Sequence, residues 1–197
     1  TAGRGIVHSE RTGPELRSSG SPIHGLQMWV ALPAAKEEIE PGFAHHKTSE
    51  FPLVRDDGTF VRVVVGSLYG EKSPVPTVHE TFFGNVALRA GATLPLDADH
   101  EERALYVVDG SIDIAGDMFE SGRLLVFRPG DRVTIKAVTD AHFVICGGAP
   151  MDGPRHIWWN FVSSRKERIE QAKAEWTAGH FGKVPGDEIE FIPLPEK

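Results

Sequence analysis

Residues 59–65 read Thr-Phe-Val-Arg-Val-Val-Val and residues 81–88 read Thr-Phe-Phe-Gly-Asn-Val-Ala-Leu. Short apolar runs of this kind, bounded by turn residues, recur at intervals of about ten residues, the pattern of an all-β sandwich or barrel. They predict strands at 24–32, 59–65, 81–88, 104–108, 111–114, 123–127, 132–138 and 142–146. Two Asp-Gly pairs predict hairpins: Asp57-Gly58 between 51–55 and 59–65, and Asp109-Gly110 between 105–108 and 111–114. Such a pair supplies the positive φ angles of a type I′ turn, whose twist suits antiparallel strands. Pro129-Gly130-Asp131 predicts a further turn between two apolar strands.

The period changes once. Ser164-Arg165-Lys166-Glu167 has the spacing of a capping box. Ile169, Ala172, Lys173 and Trp176 then fall on one helical stripe, with Trp176 as a packing anchor, and Gly179 is a stop signal. Residues 33–50 lack alternation and predict an exposed connection with one helical turn, in which His45-His46 is solvated. Residues 71–76 carry two prolines and read as loop, and 189–195 as an edge strand or tail. Trp158-Trp159 is expected to pack under the terminal helix.

Composition narrows the function classes. The 197 residues suffice for a buried core, and 21 glycines with 14 prolines favour turns over long helices. A net charge of −7 argues against nucleic acid or anionic membranes as partners held by bulk electrostatics. The single cysteine, Cys146, excludes an intrachain disulfide framework and fits a reducing compartment. Its apolar strand makes it inert core. No run has the 18 apolar residues of a membrane span and no charged-then-apolar leader is seen, so a cytoplasmic location is expected. The chain opens without methionine and reaches apolar Ile6-Val7 at once, which implies a segment upstream of Thr1.

The candidate chemistry sits in that opening stretch. Gly3, Gly5 and Ile6-Val7 ahead of His8 predict a tight turn and then a buried strand, and because His8 and Glu10 are two apart, their side chains leave one face of that strand. An imidazole and a carboxylate so placed can bind a first-row transition metal and leave positions open for substrate. His24, opening the 24–32 run, suits a structural or supporting role. His79, His100, His142, His156 and His180 have no partner at ligand spacing.

Gly3-x-Gly5-x-x-His8 is similar to the second conserved motif of cupin barrels, which delivers one metal-binding histidine. Residues 91–110 and 122–133 have the outlines of both cupin motifs without their ligands. Asp97-Ala98-Asp99-His100 and Arg103 stand where His-x-His and glutamate belong, and Val133 stands where histidine belongs. With Thr1-Ala2-Gly3-Arg4-Gly5-Ile6-Val7-His8-Ser9-Glu10, His24-Gly25-Leu26-Gln27-Met28-Trp29-Val30-Ala31-Leu32-Pro33, Gly147-Gly148-Ala149-Pro150 and Trp159-Asn160-Phe161-Val162-Ser163-Ser164, the chain resembles the pirin family.

The resemblance implies a bicupin: two stacked all-β jelly-roll barrels, with one metal, usually iron, in the N-terminal barrel. Residues 1–58 would then be the end of the metal-binding barrel and a linker, 59–150 a complete C-terminal barrel without metal ligands, and 151–197 the terminal helix and tail. His8 and Glu10 match the last histidine and the glutamate of a three-His, one-Glu shell. The other two histidines belong to a His-x-His motif expected upstream and absent from this chain. The implied cofactor is one divalent first-row metal, Fe(II) foremost. The implied activity is ring opening of a flat phenol by O₂ in the manner of quercetin 2,3-dioxygenase, with Glu10 as ligand and catalytic base. The alternative is a non-enzymatic, redox-sensitive iron protein acting through a protein partner.

Overall fold

A computed structural model describes residues 1–96 and 98–196. It divides the chain into two compact units, residues 44–150 and residues 1–43 with 151–197.

The unit 44–150 carries twelve strands: β1 (Leu53–Asp56), β2 (Thr59–Val65), β3 (Ser67–Leu68), β4 (Glu71–Lys72), β5 (Thr81–Leu88), β6 (Thr93–Leu96), β7 (Glu102–Asp109), β8 (Ser111–Ile114), β9 (Asp117–Glu120), β10 (Leu124–Phe127), β11 (Val133–Ala137) and β12 (Ala141–Gly148). Ten of them make two antiparallel sheets, ordered β1-β2-β5-β12-β7-β10 and β6-β11-β8-β9. Alternation explains which face is buried. Val61 and Val63 of β2, Leu105 and Val107 of β7, and Phe143 and Ile145 of β12 are inaccessible to water, and all join one core with Ile112 and Ile135 of the second sheet. Each such side chain stabilises by about 1.5–3 kcal/mol relative to exposure. The all-β expectation is borne out.

From β5 to β8 the chain alternates between sheets, and this corrects one sequence reading. Asp57-Gly58 does close a hairpin, with Asp56 opposite Thr59. Asp109-Gly110 does not. β7 pairs with β12 and β10, whereas β8 pairs with β11 and β9. The pair turns the corner from one sheet to the other. Asp-Gly encodes the tight turn but not the partner of the strand that follows. Gly110 is required there, because its φ is +78° and a Cβ would lie 2.2 Å from the Asp140 carbonyl oxygen. The type I′ geometry occurs instead at Ala115-Gly116, where both φ angles are positive and Ile114 faces Asp117. Asp57 is not among the positive-φ residues.

In the other unit, α1 (Pro14–Ser19) and the antiparallel pair β13 (His156–Trp158) and β14 (Phe161–Ser163) precede α2 (Lys166–Thr177). The short α1 has no counterpart in the sequence reading. Trp176 makes ring contacts with Trp159, Phe161, Phe181 and Phe191, as expected of a packing anchor. Lys173 Nζ lies 4.2 Å from the centre of the Trp158 ring. The capping box does not form: the N-cap is Arg165 with no side-chain cap, and Ser164 turns its backbone N–H and hydroxyl to Glu37. Residues 189–195 are tail, not strand.

The predicted strand 24–32 is not formed either. Leu26, Met28, Trp29 and Val30 are about half exposed, and residues 24–32 make no ladder with a described strand. Alternation encodes an extended backbone, but a strand also needs a neighbour to accept its ladder.

Candidate functional site

The opening stretch is placed by residues 39–42. The Thr1 backbone nitrogen donates to the Gly42 carbonyl at 2.8 Å, Gly42 N–H returns to the Thr1 carbonyl at 3.0 Å, and Arg4 N–H donates to the Ile39 carbonyl at 3.0 Å. A tight turn closes with Gly5 N–H on the Ala2 carbonyl at 2.9 Å. Gly3 is needed in it: φ is +51°, and a Cβ would meet the Ile39 carbonyl oxygen at 2.1 Å. The tight turn expected ahead of His8 is therefore present.

The buried strand expected after it is not. Residues 6–10 carry no ladder, and His8, Ser9 and Glu10 are exposed. Arg11 makes a bidentate pair with Asp187, Nε to Oδ2 at 2.8 Å and Nη2 to Oδ1 at 3.0 Å. Ser9 bonds the same carboxylate. These contacts, with the Arg11 guanidinium first, hold the Asp187 carboxyl below the usual aspartate range. Residues 9 and 11 therefore reach one acceptor. Among the described residues, neither His8 nor Glu10 is engaged in a hydrogen bond or ion pair.

Imidazole and carboxylate are the right donor chemistry for a first-row transition ion. Two donors are half a shell, and among the described residues no group of three or more His, Cys, Asp or Glu could hold a metal. A cleft of about 620 Å³ does adjoin the stretch, lined by Arg4–Val7, Arg168, His180 and Phe181 among others. Neither His8 nor Glu10 lines it, and Arg168 spans it by pairing with Glu38 and Glu175.

The other histidines are engaged elsewhere. His100 Nδ1 lies 2.8 Å from Glu80 Oε1 and its ring stacks on Phe82. His142 Nε2 is 2.6 Å from Asn85 Oδ1, and His46 Nδ1 is 3.1 Å from Glu50 Oε2, so His46 is paired rather than solvated. His24 is exposed in the irregular stretch. Burial pushes the Cys146 thiol above its ordinary pKa, which disfavours a nucleophilic thiolate.

In the unit 44–150, Arg103 is fully buried on the inward face of β7, where the cupin pattern has its glutamate. It donates Nη1 to the Asp131 carbonyl at 2.7 Å and Nη2 to the Arg128 carbonyl at 2.9 Å. Asp97, read as a replacement for a ligand, lies outside the described residues.

Two antiparallel sheets closed around one core, entered by glycine turns and carrying degenerate ligand motifs, define the chain as a cupin protein. A solved quercetin 2,3-dioxygenase from Acinetobacter baumannii superposes with a TM-score of 0.74 over 78% of this chain and 55% of that one, at 21% identity, and speaks to the fold.

Residues 83–182 match the pirin C-terminal cupin domain. A pirin-like protein of Caulobacter vibrioides is 44% identical over the whole chain, and the chain covers 68% of it. A Pseudomonas aeruginosa protein provisionally named quercetin 2,3-dioxygenase is 30% identical over the whole chain, which covers 63% of it. Pirin of Homo sapiens is 33% identical over 87% of the chain, with 60% of that protein covered. The chain belongs to the pirin family. It spans about two thirds of the length of these relatives. Among the described residues no helix is long and apolar enough to cross a membrane.

The sequence reading missed Asp187, Glu37 and Arg155. Asp187 is 176 residues from Arg11, and Glu37 is 127 from Ser164. No local pattern carries pairings of that range.

Proposed function

We propose that this chain is part of a metal-dependent dioxygenase acting on flat phenols of the flavonol class, with quercetin as the model substrate. His8 and Glu10 supply two ligands, and two histidines N-terminal to Thr1 complete the shell. Fe(II) is the ion of this proposal, one of the first-row metals that imidazole and carboxylate donors suit. What carries the reading is the donor chemistry and spacing of His8 and Glu10, whose donor atoms are uncommitted among the described residues while Ser9 and Arg11 are tied to Asp187. The resemblance of this stretch to the pirin pattern supports it, as does the name of the Pseudomonas aeruginosa relative.

When bound, the ion would supply a Lewis-acidic centre with positions open to O₂ and to the substrate hydroxyl. Glu10 would accept the proton of the flavonol 3-hydroxyl, the role of a carboxylate placed beside an acidified phenol. His8 would lend its ring nitrogen as a neutral donor. Ring opening then consumes one O₂ and releases one carbon monoxide per flavonol.

The test is oxygen uptake by the iron-loaded protein in its natural length. Quercetin is expected to raise oxygen consumption, with carbon monoxide formed in equal amount. His8→Ala and Glu10→Ala are expected to stop both while far-ultraviolet circular dichroism keeps its β signature. Normal iron loading with no oxygen uptake on any flavonol would overturn the enzyme reading and favour a regulator acting through a protein partner.

A further inference from the structure

The two large sheets of the unit 44–150 end in four edge strands, and three of these are blunted. β1 carries Arg55 and Asp56, β6 carries Pro95, and β9 carries Asp117 and Glu120. Charges and proline at an edge discourage a foreign strand from adding there. β10 reads Leu-Leu-Val-Phe and has neither. It pairs with β7 on one side and, among the described residues, with no strand on the other. The Val107 N–H donates to the Arg123 carbonyl at 2.9 Å. Residues 125 and 127 continue that ladder, so Leu124 and Val126 turn their backbone N–H and C=O to the open side. Leu125 and Phe127 pack on the core, whereas Leu124 and Val126 are 63% and 76% exposed. Open backbone groups and bare apolar side chains thus occur on the same two residues.

We propose that β10 is a self-association edge, to which a second copy of this protein adds its own β10, antiparallel across a two-fold axis. An open ladder selects a strand as its occupant, and an apolar outward face selects an apolar one. β10 itself meets both needs. With Leu125 opposite Leu125, Leu124 of one copy faces Val126 of the other, and all four residues with open backbone groups are paired. Their side chains form one apolar cluster on the outward face. The flanking charges select this register. It sets Arg123 opposite Phe127 and Arg128 opposite Gly122, with Glu120 diagonal to Arg128. A slip of one residue opposes Arg123 to Arg128, which like charges disfavour, and presents backbone groups already bonded to β7. The contact uses the same patch on both copies, so it closes at two. Four residues a side cover less than about 1,200 Å², so the association is weak, half complete at about 100 µM.

The experiment is sedimentation velocity of the natural-length protein from about 5 to about 500 µM, a range that brackets this affinity, with amide exchange of residues 122–128 at both ends. The mass is expected to rise toward twice that of the monomer and no further. Exchange at Leu124 and Val126 is expected to slow by about fourfold at the high end, in step with the fraction paired. Val126→Lys and Leu124→Lys, both at exposed positions, are expected to stay monomeric throughout with an unchanged melting temperature. The double variant Leu124→Glu with Val126→Lys is expected to recover the dimer, because each carboxylate then meets an ammonium of the other copy. A parent protein that stays monomeric at every concentration would overturn the proposal, and slow exchange at 124 and 126 in that monomer would assign the edge to a segment of the same chain. A dimer that survives both lysine variants would overturn it too, by placing the contact on another surface.

Discussion

Glu37→Ala is expected to destabilise the unit formed by residues 1–43 and 151–197 by about 3–5 kcal/mol, the cost of stranding one partner of a buried ion pair. The Glu37 and Arg155 side chains are only 10% and 7% exposed, and Arg155 Nε lies 2.7 Å from Glu37 Oε1. The same carboxylate accepts from Ser164 N–H at 2.8 Å, from Ser164 Oγ at 2.8 Å and from Ser163 Oγ at 3.2 Å. Removing it leaves a buried guanidinium with only the half-exposed Asp152 as counter-charge and a backbone N–H without its acceptor. Arg155 also donates to the Leu32 carbonyl at 2.8 Å, so residues 32–37 and 152–164 come loose together.

Denaturant unfolding with exchange at 32–38 and 152–165 reads the effect. Glu37→Gln, which keeps the shape but not the charge, should cost less than half as much. A Glu37→Ala protein within about 1 kcal/mol of the parent would contradict this account of the pair. Neighbouring Asp152 is held below the usual aspartate range, first by its hydrogen bond from Arg155. A depressed carboxylate contributes stability that is present at neutral pH and is lost only as the pH falls through its folded value.

Arg103→Leu is the second large effect, in the unit 44–150. The guanidinium satisfies two carbonyls of the turn 128–131 from inside the barrel, and no apolar side chain can donate to them. Both bonds are part-buried and the turn residues are exposed, so a loss of about 1–3 kcal/mol in urea unfolding is expected, the scale of one acceptor left without its donor. Arg103→Lys should recover little of it, because an ammonium lacks the planar fork that reaches two acceptors. Full stability in Arg103→Leu would mean that water or a shifted turn satisfies both carbonyls. Physically, a fixed cation ties the barrel together at the place where the cupin pattern puts a ligand.

How far the sequence carried can be seen residue by residue. Residues 81–88 and 111–114 were bounded to the residue, because one face of each packs a core and the other does not. β6 and β9 escaped notice: Thr-Leu-Pro-Leu contains a proline, and Asp-Met-Phe-Glu is too short and polar to alternate visibly. Residues 24–32 alternate as clearly as any strand, yet make no ladder. Pattern reports what a segment could bury, and pairing depends on what lies beside it.

The site divides the same way. His8 and Glu10 could be proposed from the sequence because their chemistry is local, two residues apart; the structure leaves both exposed and outside any strand. Arg103 was legible as a departure from a motif, though not as a donor to the 128–131 turn. The Arg11–Asp187 and Glu37–Arg155 pairs were invisible, since each joins parts of the chain more than a hundred residues apart.

The most direct test of the metal centre is a crystal of the iron-loaded, natural-length protein with data collected on both sides of the iron absorption edge. The account predicts a single strong anomalous peak within bonding distance of His8 and Glu10. A peak bound by other residues, or an iron-loaded protein whose His8 and Glu10 both face solvent with no iron between them, would contradict it.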